Sequence, residues 1–193
     1  MTTISSIRKT AYAFLISAML GAGVFTGSAS AAENTKALTP QQTLEMVNKD
    51  NKVLFVDVRD PVEIMFIGHA NAAHINIPFM FADKDEWDEI NGRFKMKMNP
   101  DFAAQIKAAL DARGLDTNTT IITMCRSGSE RGMPSAQSLI DAGFPNVFYV
   151  DHGFQGDASK EGPKKGMRVV NGWQNSGLPW STKINPEFIY MTH

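Results

Sequence analysis

Short apolar runs that alternate with helix-type segments constrain the fold of this 193-residue chain more than any other feature. The runs lie at residues 53–59, 119–124 and 146–150, and a shorter one at 74–78 ends in proline. Near-continuous apolar strands are typical of parallel sheets that are buried on both faces. Strands alternating with helices therefore predict an α/β fold, a parallel sheet flanked by helices on both faces.

Capping and stop signals place the helices between these runs. Thr39 and Gln42 form a capping box around Pro40, which predicts a helix through about Lys49. Three more helices are predicted, over 62–66, from Asn99-Pro100 to Gly114, and over 134–143. Residues 80–99 are polar, and we expect them to form an irregular excursion over the surface.

The only cysteine of the chain, Cys125, directly follows the apolar run 119–124 and precedes the helix predicted at 134–143. A loop between a strand and a helix N-terminus can gather backbone N–H groups around one point, where the helix dipole also favours an anion. The same field favours the thiolate form of a cysteine, which is its nucleophilic form. We therefore assign Cys125 as the catalytic nucleophile, facing an anionic substrate bound by Arg126, Ser127, Gly128, Ser129, Glu130 and Arg131.

The N-terminal segment has the pattern of a secretory signal peptide. Arg8 and Lys9 form a basic start, residues 11–25 are apolar, and Ala29-Ser30-Ala31 fits a small-residue cleavage site. This predicts a signal peptide over residues 1–31 and a periplasmic location. No internal repeat or second domain is indicated, so a single domain is expected over 39–183, followed by a C-terminal tail at 184–193.

Charge and cysteine usage exclude several classes of partner. Without Arg8 and Lys9 the remaining 17 basic and 20 acidic residues give a net charge near −3. This charge argues against nucleic acid as a partner and, after signal cleavage, against a membrane surface. A single cysteine also cannot form an internal disulfide, which leaves a reactive thiol.

Four segments in this order resemble the rhodanese-like sulfurtransferases. The first runs from Val56-Asp57-Val58-Arg59 through Glu63 and residues 68–72 to Ile77-Pro78, and the second is Cys125-Arg126-Ser127-Gly128. The other two are residues 149–153 and the stretch from Trp173 to Pro179. The resemblance covers most of the chain from Thr39 to Pro179.

The resemblance implies a single rhodanese-like domain with thiosulfate sulfurtransferase-like activity. In that family the loop cysteine takes the outer sulfur of a donor such as thiosulfate, carries it as a persulfide and passes it to cyanide or a thiol. The implied partners are thus a small sulfur donor and a thiol or cyanide acceptor, with a periplasmic protein as another candidate acceptor. Neither a metal nor an organic cofactor is expected.

The cysteine loop departs from the family pattern in its length. The usual arginine stands five positions after the cysteine, whereas here Glu130 intervenes and Arg131 stands six positions after it. Cys-x5-Arg is the spacing of cysteine-dependent phosphatases, and residues 129–132 resemble the cell-cycle phosphatases that share the fold. Phosphatase or arsenate chemistry and a noncatalytic sulfur-carrier or binding module therefore stay open as alternatives.

Other polar and soft side chains are assigned structural roles. Asp57 and Arg59 are expected to satisfy backbone groups or to pair at strand ends, and His69 and His74 have no third metal ligand at a useful spacing. Met80, Met96 and Met98 could bind copper through soft thioethers, but we favour surface packing for them. Residues 80–99 and 155–171 are insertions that could wall the pocket or dock a partner.

Overall fold

A computed structural model describes residues 35–191 of the chain. The signal peptide predicted at 1–31 lies outside these residues, as do His193 and Thr192 of the predicted tail. No helix within 35–191 is long and apolar enough to cross a membrane. The elements are β1 (Lys36–Leu38), α1 (Pro40–Lys49), β2 (Leu54–Asp57), α2 (Pro61–Ile67), β3 (His69–Ala70), β4 (Ile75–Asn76), β5 (Met80–Asp88), β6 (Arg93–Met98), α3 (Phe102–Ala112), β7 (Ile121–Met124), α4 (Gly132–Asp141), β8 (Val147–Val150), a 3₁₀ turn (Gln174–Ser176) and β9 (Trp180–Ser181).

Five strands form the central sheet in the order β1-β8-β7-β2-β4. Every pair in it is parallel, and the register aligns Leu54 with Ile121 and Ile121 with Val147. All four residues of β2 and all four of β7 are buried, as expected for the middle of a sheet covered on both faces. The predicted α/β fold, a rhodanese-like parallel sheet with flanking helices, is confirmed.

Alternate residues of the central strands build two separate cores. Leu54 and Ile121 belong to one core with α3 and α4, which contribute Ile106, Leu110 and Leu139. On the opposite face Phe55 and Ile122 belong to a second core, which includes Ile64 of α2 and Trp173. Each fully buried aliphatic side chain stabilises the fold by about 1.5–3 kcal/mol. The period of two residues along each strand thus distributes the apolar side chains over both layers.

The helix-start signals of the first half have their expected geometry. The Thr39 side chain accepts from the Gln42 N–H and the Gln42 side chain accepts from the Thr39 N–H, which completes the capping box of α1. Asp60 and Glu63 form a second capping box at α2. Helix α4 starts at Gly132, two residues before the predicted start, so the helix N-terminus comes closer to Cys125.

The expectation of an irregular surface excursion at 80–99 is wrong. These residues form a long antiparallel hairpin in which Met80 pairs with Met98 and Asp88 with Arg93. Both strands are largely exposed, and Trp87 packs edge-on against Phe94 with 5.6 Å between ring centroids. The polar excursion of the sequence is therefore a β-ribbon, which stands beside the sheet and is not part of it.

Residues 184–191, separated as a tail on sequence, pack back onto the domain. Phe188 is buried and stacks on His69 with 4.4 Å between ring centroids. The Asn76 N–H of edge strand β4 donates to the Phe188 carbonyl, and the Tyr190 N–H donates to the Asn76 side chain. The C-terminal segment thus covers one edge of the sheet.

Candidate functional site

Cys125 lies at the carboxyl end of β7, at the point where parallel α/β sheets place their ligand sites. Its side chain is fully buried, and Sγ accepts from the Gly128 N–H at 3.2 Å. The sulfur therefore lies beneath the loop 125–131, and this loop has to shift before a ligand can reach it.

The first two carbonyl groups of the loop are bound by the segment that follows β8. The Phe154 N–H donates to the Cys125 carbonyl at 2.8 Å, and the N–H groups of Gln155 and Gly156 both donate to the Arg126 carbonyl. The N–H groups of Ser127 and Ser129 donate to no residue within 35–191. Loop amides that lack a partner next to a cysteine can bind an anion.

Gly128 allows the loop to pack closely on the turn after β8. Its φ is +85°, which favours glycine, and a Cβ there would lie 2.8 Å from the His152 N atom and 3.0 Å from the Val150 carbonyl oxygen. The start of α4 is fixed separately, because the Thr123 and Ser135 hydroxyls both donate to the Gly132 carbonyl. The loop therefore packs on the turn after β8 at Gly128 and joins a hydrogen-bonded helix start at Gly132.

Arg131 holds the end of the loop to helix α2. Its guanidinium forms a bidentate ion pair with the Glu63 carboxylate, including an Nη2–Oε1 hydrogen bond of 2.9 Å. Burial alone would lower the pKa of Arg131 and raise that of Glu63, but the hydrogen bond and charge of the partner outweigh it. The pKa of Arg131 is consequently raised and that of Glu63 lowered, so the pair stays ionised.

Four of the six predicted substrate-binding residues line a cleft above the loop. Arg126, Ser127, Glu130 and Arg131 line that cleft, whereas Gly128 and Ser129 do not. Glu130, the additional loop residue, forms an exposed ion pair with Arg93 of β6 at 3.1 Å. The extra residue thus connects the loop to the hairpin.

The cleft has a volume of about 640 Å³ and lies between the loop, helix α2 and the hairpin. Burial lowers the pKa of Arg126, and the charge of nearby Arg168 lowers it further. Sequence reasoning proposed residues 80–99 and 155–171 as possible pocket walls without naming residues. Hairpin residues and Arg168 do line the cleft.

Asp57 and Arg59 are structural, as predicted. Both side chains are fully buried and joined by a 2.5 Å contact between Arg59 Nη2 and Asp57 Oδ2. Arg59 also donates to the Gly68 carbonyl and lies over the Phe154 ring, 4.3 Å from its centroid. The pair ties the end of β2 to the turn after α2.

The two histidines have hydrogen-bond partners in the protein. His74 Nδ1 accepts from the Phe55 N–H at 3.0 Å, and His69 Nε2 lies 3.1 Å from the Lys183 carbonyl. Within the described residues no group of three His, Cys, Asp or Glu side chains is placed to hold a metal. Met80 and Met96 line the cleft, where their thioethers act as apolar surface.

Comparisons with known proteins agree with this geometry. Residues 39–160 match the family described as the rhodanese-like domain. No curated protein matches the chain. The crystal structure of Rv0390 from M. tuberculosis is 25% identical, with a TM-score of 0.59 over 77% of this chain and 98% of that one.

Two further solved structures are more distant. One is a thiosulfate sulfurtransferase from Pseudomonas aeruginosa, 18% identical, with a TM-score of 0.47 over 76% of this chain and 20% of that one. The other is a protein of unknown function from Rhodopseudomonas palustris, described as a possible tyrosine phosphatase, 16% identical, with a TM-score of 0.46 over 78% and 88%. Likenesses at this level do not distinguish between the two activities.

Proposed function

Since the chain belongs to the rhodanese-like domain family, we propose that it is a thiosulfate sulfurtransferase-like enzyme. In this proposal Cys125 carries sulfane sulfur as a persulfide from a small anionic donor to a thiophilic acceptor. The acceptor is cyanide, a thiol or a thiol of a periplasmic protein. The reaction needs no metal or organic cofactor.

One observation carries the proposal: the only cysteine lies beneath a loop whose unpartnered amides and arginines favour an anion. The Cys125 thiolate attacks the outer sulfur of thiosulfate, the S–S bond of the donor breaks, and sulfite leaves with the electron pair. Cyanide or a thiolate then attacks the outer sulfur of the persulfide, and the Cys125 thiolate leaves. Loop amides next to Sγ stabilise the negative charge on the attacked group and on the persulfide.

Phosphatase or arsenate chemistry is the second candidate, because Arg131 stands six positions after Cys125. In a phosphatase this arginine would bind two phosphoryl oxygens through two nitrogens of its guanidinium. Here Nη1 and Nη2 of Arg131 both donate to Glu63, so the arginine connects the loop to helix α2. This contact favours sulfur transfer over phosphoryl transfer.

A steady-state assay tests the proposal against this candidate. The purified protein is given thiosulfate and cyanide, and thiocyanate is measured. In parallel it is given an aryl phosphate, and phosphate release is measured. We expect thiocyanate formation that Cys125→Ser abolishes, since a serine hydroxyl is a far poorer nucleophile than a thiolate. Phosphate release dependent on Cys125 without thiocyanate formation would support phosphatase chemistry instead.

We further propose that the enzyme works in the periplasm. The basic start, apolar stretch and Ala29-Ser30-Ala31 site of residues 1–31 support export. Cell fractionation followed by N-terminal sequencing tests this: the mature protein should begin near Ala32. A cytoplasmic protein that retains residues 1–31 would contradict it.

A further inference from the structure

The cleft above the cysteine loop is lined by more arginines than carboxylates. Four arginines and three carboxylates line it. Arg131 is paired with Glu63, and Arg93 with Glu130. The Asp60 carboxylate accepts from the Val62 and Ala82 N–H groups. Each carboxylate therefore already has a partner.

Arg126 and Arg168 have no carboxylate partner among residues 35–191. Arg126 Nε donates to the Gln155 side chain at 3.0 Å, and Arg168 Nη1 donates to the Gly156 carbonyl. Because Gln155 and Gly156 also donate to the Arg126 carbonyl, one short segment positions both guanidinium groups. These two neighbouring cations have only neutral partners, and this arrangement favours an anion between them.

Much of the remaining lining of the cleft is apolar. Val62 and Phe66 of α2 and Met80, Phe94 and Met96 of the hairpin line it. Phe66 is 76% exposed and Phe94 is 44% exposed, so both rings are available to a ligand. A pocket of about 300–1,000 Å³ suits an organic molecule of drug-like size, and this cleft of 640 Å³ is far larger than thiosulfate needs.

We infer that Arg168 and Phe94 determine donor specificity, and that the cleft takes an organic sulfane-sulfur anion with an apolar body, such as an aryl thiosulfonate. Arg126 and Arg168 contact the anionic group, while Phe94 and Phe66 contact the body. This inference rests on the proposed sulfur transfer and specifies its substrate class. Arg168 lies in the insertion 155–171 and beyond residues 39–160, the part that matches the family model.

The chemistry of such a donor balances without a further reactant. The Cys125 thiolate attacks the terminal sulfur of R–SO₂–S⁻, and a Cys125–sulfur bond forms. The sulfur–sulfur bond of the donor breaks, and its electron pair leaves with the sulfinate R–SO₂⁻. The product is the same Cys125 persulfide that thiosulfate gives. In this inference the two arginines bind the sulfonyl oxygens, on which the negative charge of the leaving sulfinate is spread.

Binding of sulfonates that carry no transferable sulfur tests the inference separately from catalysis. Calorimetry compares benzenesulfonate with methanesulfonate, which share the anionic group and differ in the apolar body. We expect benzenesulfonate to bind at least about tenfold more tightly, as burial of an aryl ring predicts. Arg168→Gln should weaken both ligands about tenfold, whereas Phe94→Ser should weaken benzenesulfonate selectively. Equal affinity of the two ligands for the parent protein would overturn the inference.

Two matched controls separate local contacts from general effects. Lys165→Gln removes an exposed charge of the same loop as Arg168, and Ile90→Ser removes an apolar side chain that is 93% exposed at the hairpin tip. Neither residue lines the cleft, so both variants should bind benzenesulfonate as the parent does. If Lys165→Gln weakened binding as much as Arg168→Gln, the arginine would act only through overall charge and the assignment would be wrong.

Kinetics with benzenethiosulfonate, methanethiosulfonate and thiosulfate then distinguish the inference from the proposed function. We expect the ratio of kcat/KM for the benzene compound to that for the methane compound to fall about tenfold in Phe94→Ser. Sulfur transfer from thiosulfate with no aryl preference would refute the inference alone. Absence of transfer from all three donors would refute the proposed function, and the binding result would still decide whether the subsite exists.

Discussion

Among single residues, Glu63 contacts two parts of the site, the start of helix α2 and the end of the cysteine loop. Its carboxylate accepts from the Asp60 N–H and so completes the cap of α2. The same carboxylate forms the bidentate ion pair with Arg131 at the end of the cysteine loop. The Arg131 side chain is only 7% exposed and that of Glu63 is 24% exposed. Loss of one partner would leave a charge that water reaches poorly.

We predict that Glu63→Gln destabilises the protein by about 3 kcal/mol, because a buried guanidinium loses its counter-charge. The free energy of unfolding by urea measures this. Arg93→Gln is the control, since the Arg93–Glu130 pair is about half exposed and its loss should cost less than about 0.5 kcal/mol. Similar losses for the two variants would contradict a special role of the Glu63 contact.

His74 should make stability depend on pH in a defined window. Burial lowers its pKa from 6.5 to about 4, with a smaller effect of the Arg113 charge, and its Nδ1 must stay unprotonated to accept from the Phe55 N–H. Below pH 6.5 the unfolded chain binds a proton that the folded chain does not, so this contribution to stability is complete above pH 6.5 and declines toward pH 4.

The melting temperature of the parent should therefore fall between pH 7 and pH 5. His74→Asn should show a shallower fall, while His152→Asn, at a half-exposed histidine, should follow the parent. A parallel decline of all three proteins would assign the effect to other groups. Burial opposes ionisation of Glu63, but the hydrogen bond and charge of Arg131 outweigh it and lower its pKa, so the contribution of this carboxylate is lost at more acidic pH.

At this scale the sequence predicted the position of Cys125 at a strand end but not the contacts around it. Cys125 follows a buried apolar run, and that local pattern suffices to place it at a strand end. The partner of Arg131 lies 68 residues away in the chain, and Arg168 comes from an irregular loop. Local spacing carries no information on which of several exposed acids or arginines approaches the loop.

Among the elements, the hairpin β5–β6 differs most from the sequence-based expectation. A half-buried strand shows alternation because one face is apolar, but neither strand of the hairpin contains a buried residue. Its stabilisation comes from ladder hydrogen bonds and cross-strand pairs such as Trp87–Phe94 and Glu86–Lys95. The inner strands β2 and β7, by contrast, were predictable because burial on both faces makes them continuously apolar, whereas the edge strand β1 was not predicted.

We predict that replacing residues 84–95 by a short Asn-Gly turn leaves the central fold intact. Few residues of this part are buried, so the midpoint of thermal unfolding should shift by only a few degrees. The same variant lacks Phe94 and should lose the preference for aryl donors. Global unfolding of the variant by circular dichroism would show that the ribbon is an integral part of the core.

For the whole molecule, the C-terminal segment closes the sheet edge. Phe188 is 6% exposed, packs in the second core and stacks on His69. Its carbonyl accepts from the N–H of Asn76 in β4, a strand of two residues with little pairing of its own. The segment thus supplies hydrogen bonds that a short edge strand would otherwise leave to water.

Phe188→Ala should destabilise the protein by about 3–5 kcal/mol, as is usual for truncation of a buried aromatic side chain. Met191→Ala removes a side chain that is 52% exposed and should change stability by no more than about 0.5 kcal/mol. Urea unfolding compares the two. A small effect of Phe188→Ala would mean that residues 184–191 contribute little to the folded state.

The central claim is that Cys125 accepts sulfur from an anionic donor, and intact-protein mass spectrometry tests it most directly. After incubation with thiosulfate, we predict a gain of one sulfur atom per chain, located on Cys125 by peptide mapping and removed by cyanide. Cys125→Ser, treated in the same way, should gain nothing. An unchanged parent mass after thiosulfate, or a gain that persists in Cys125→Ser, would contradict the account.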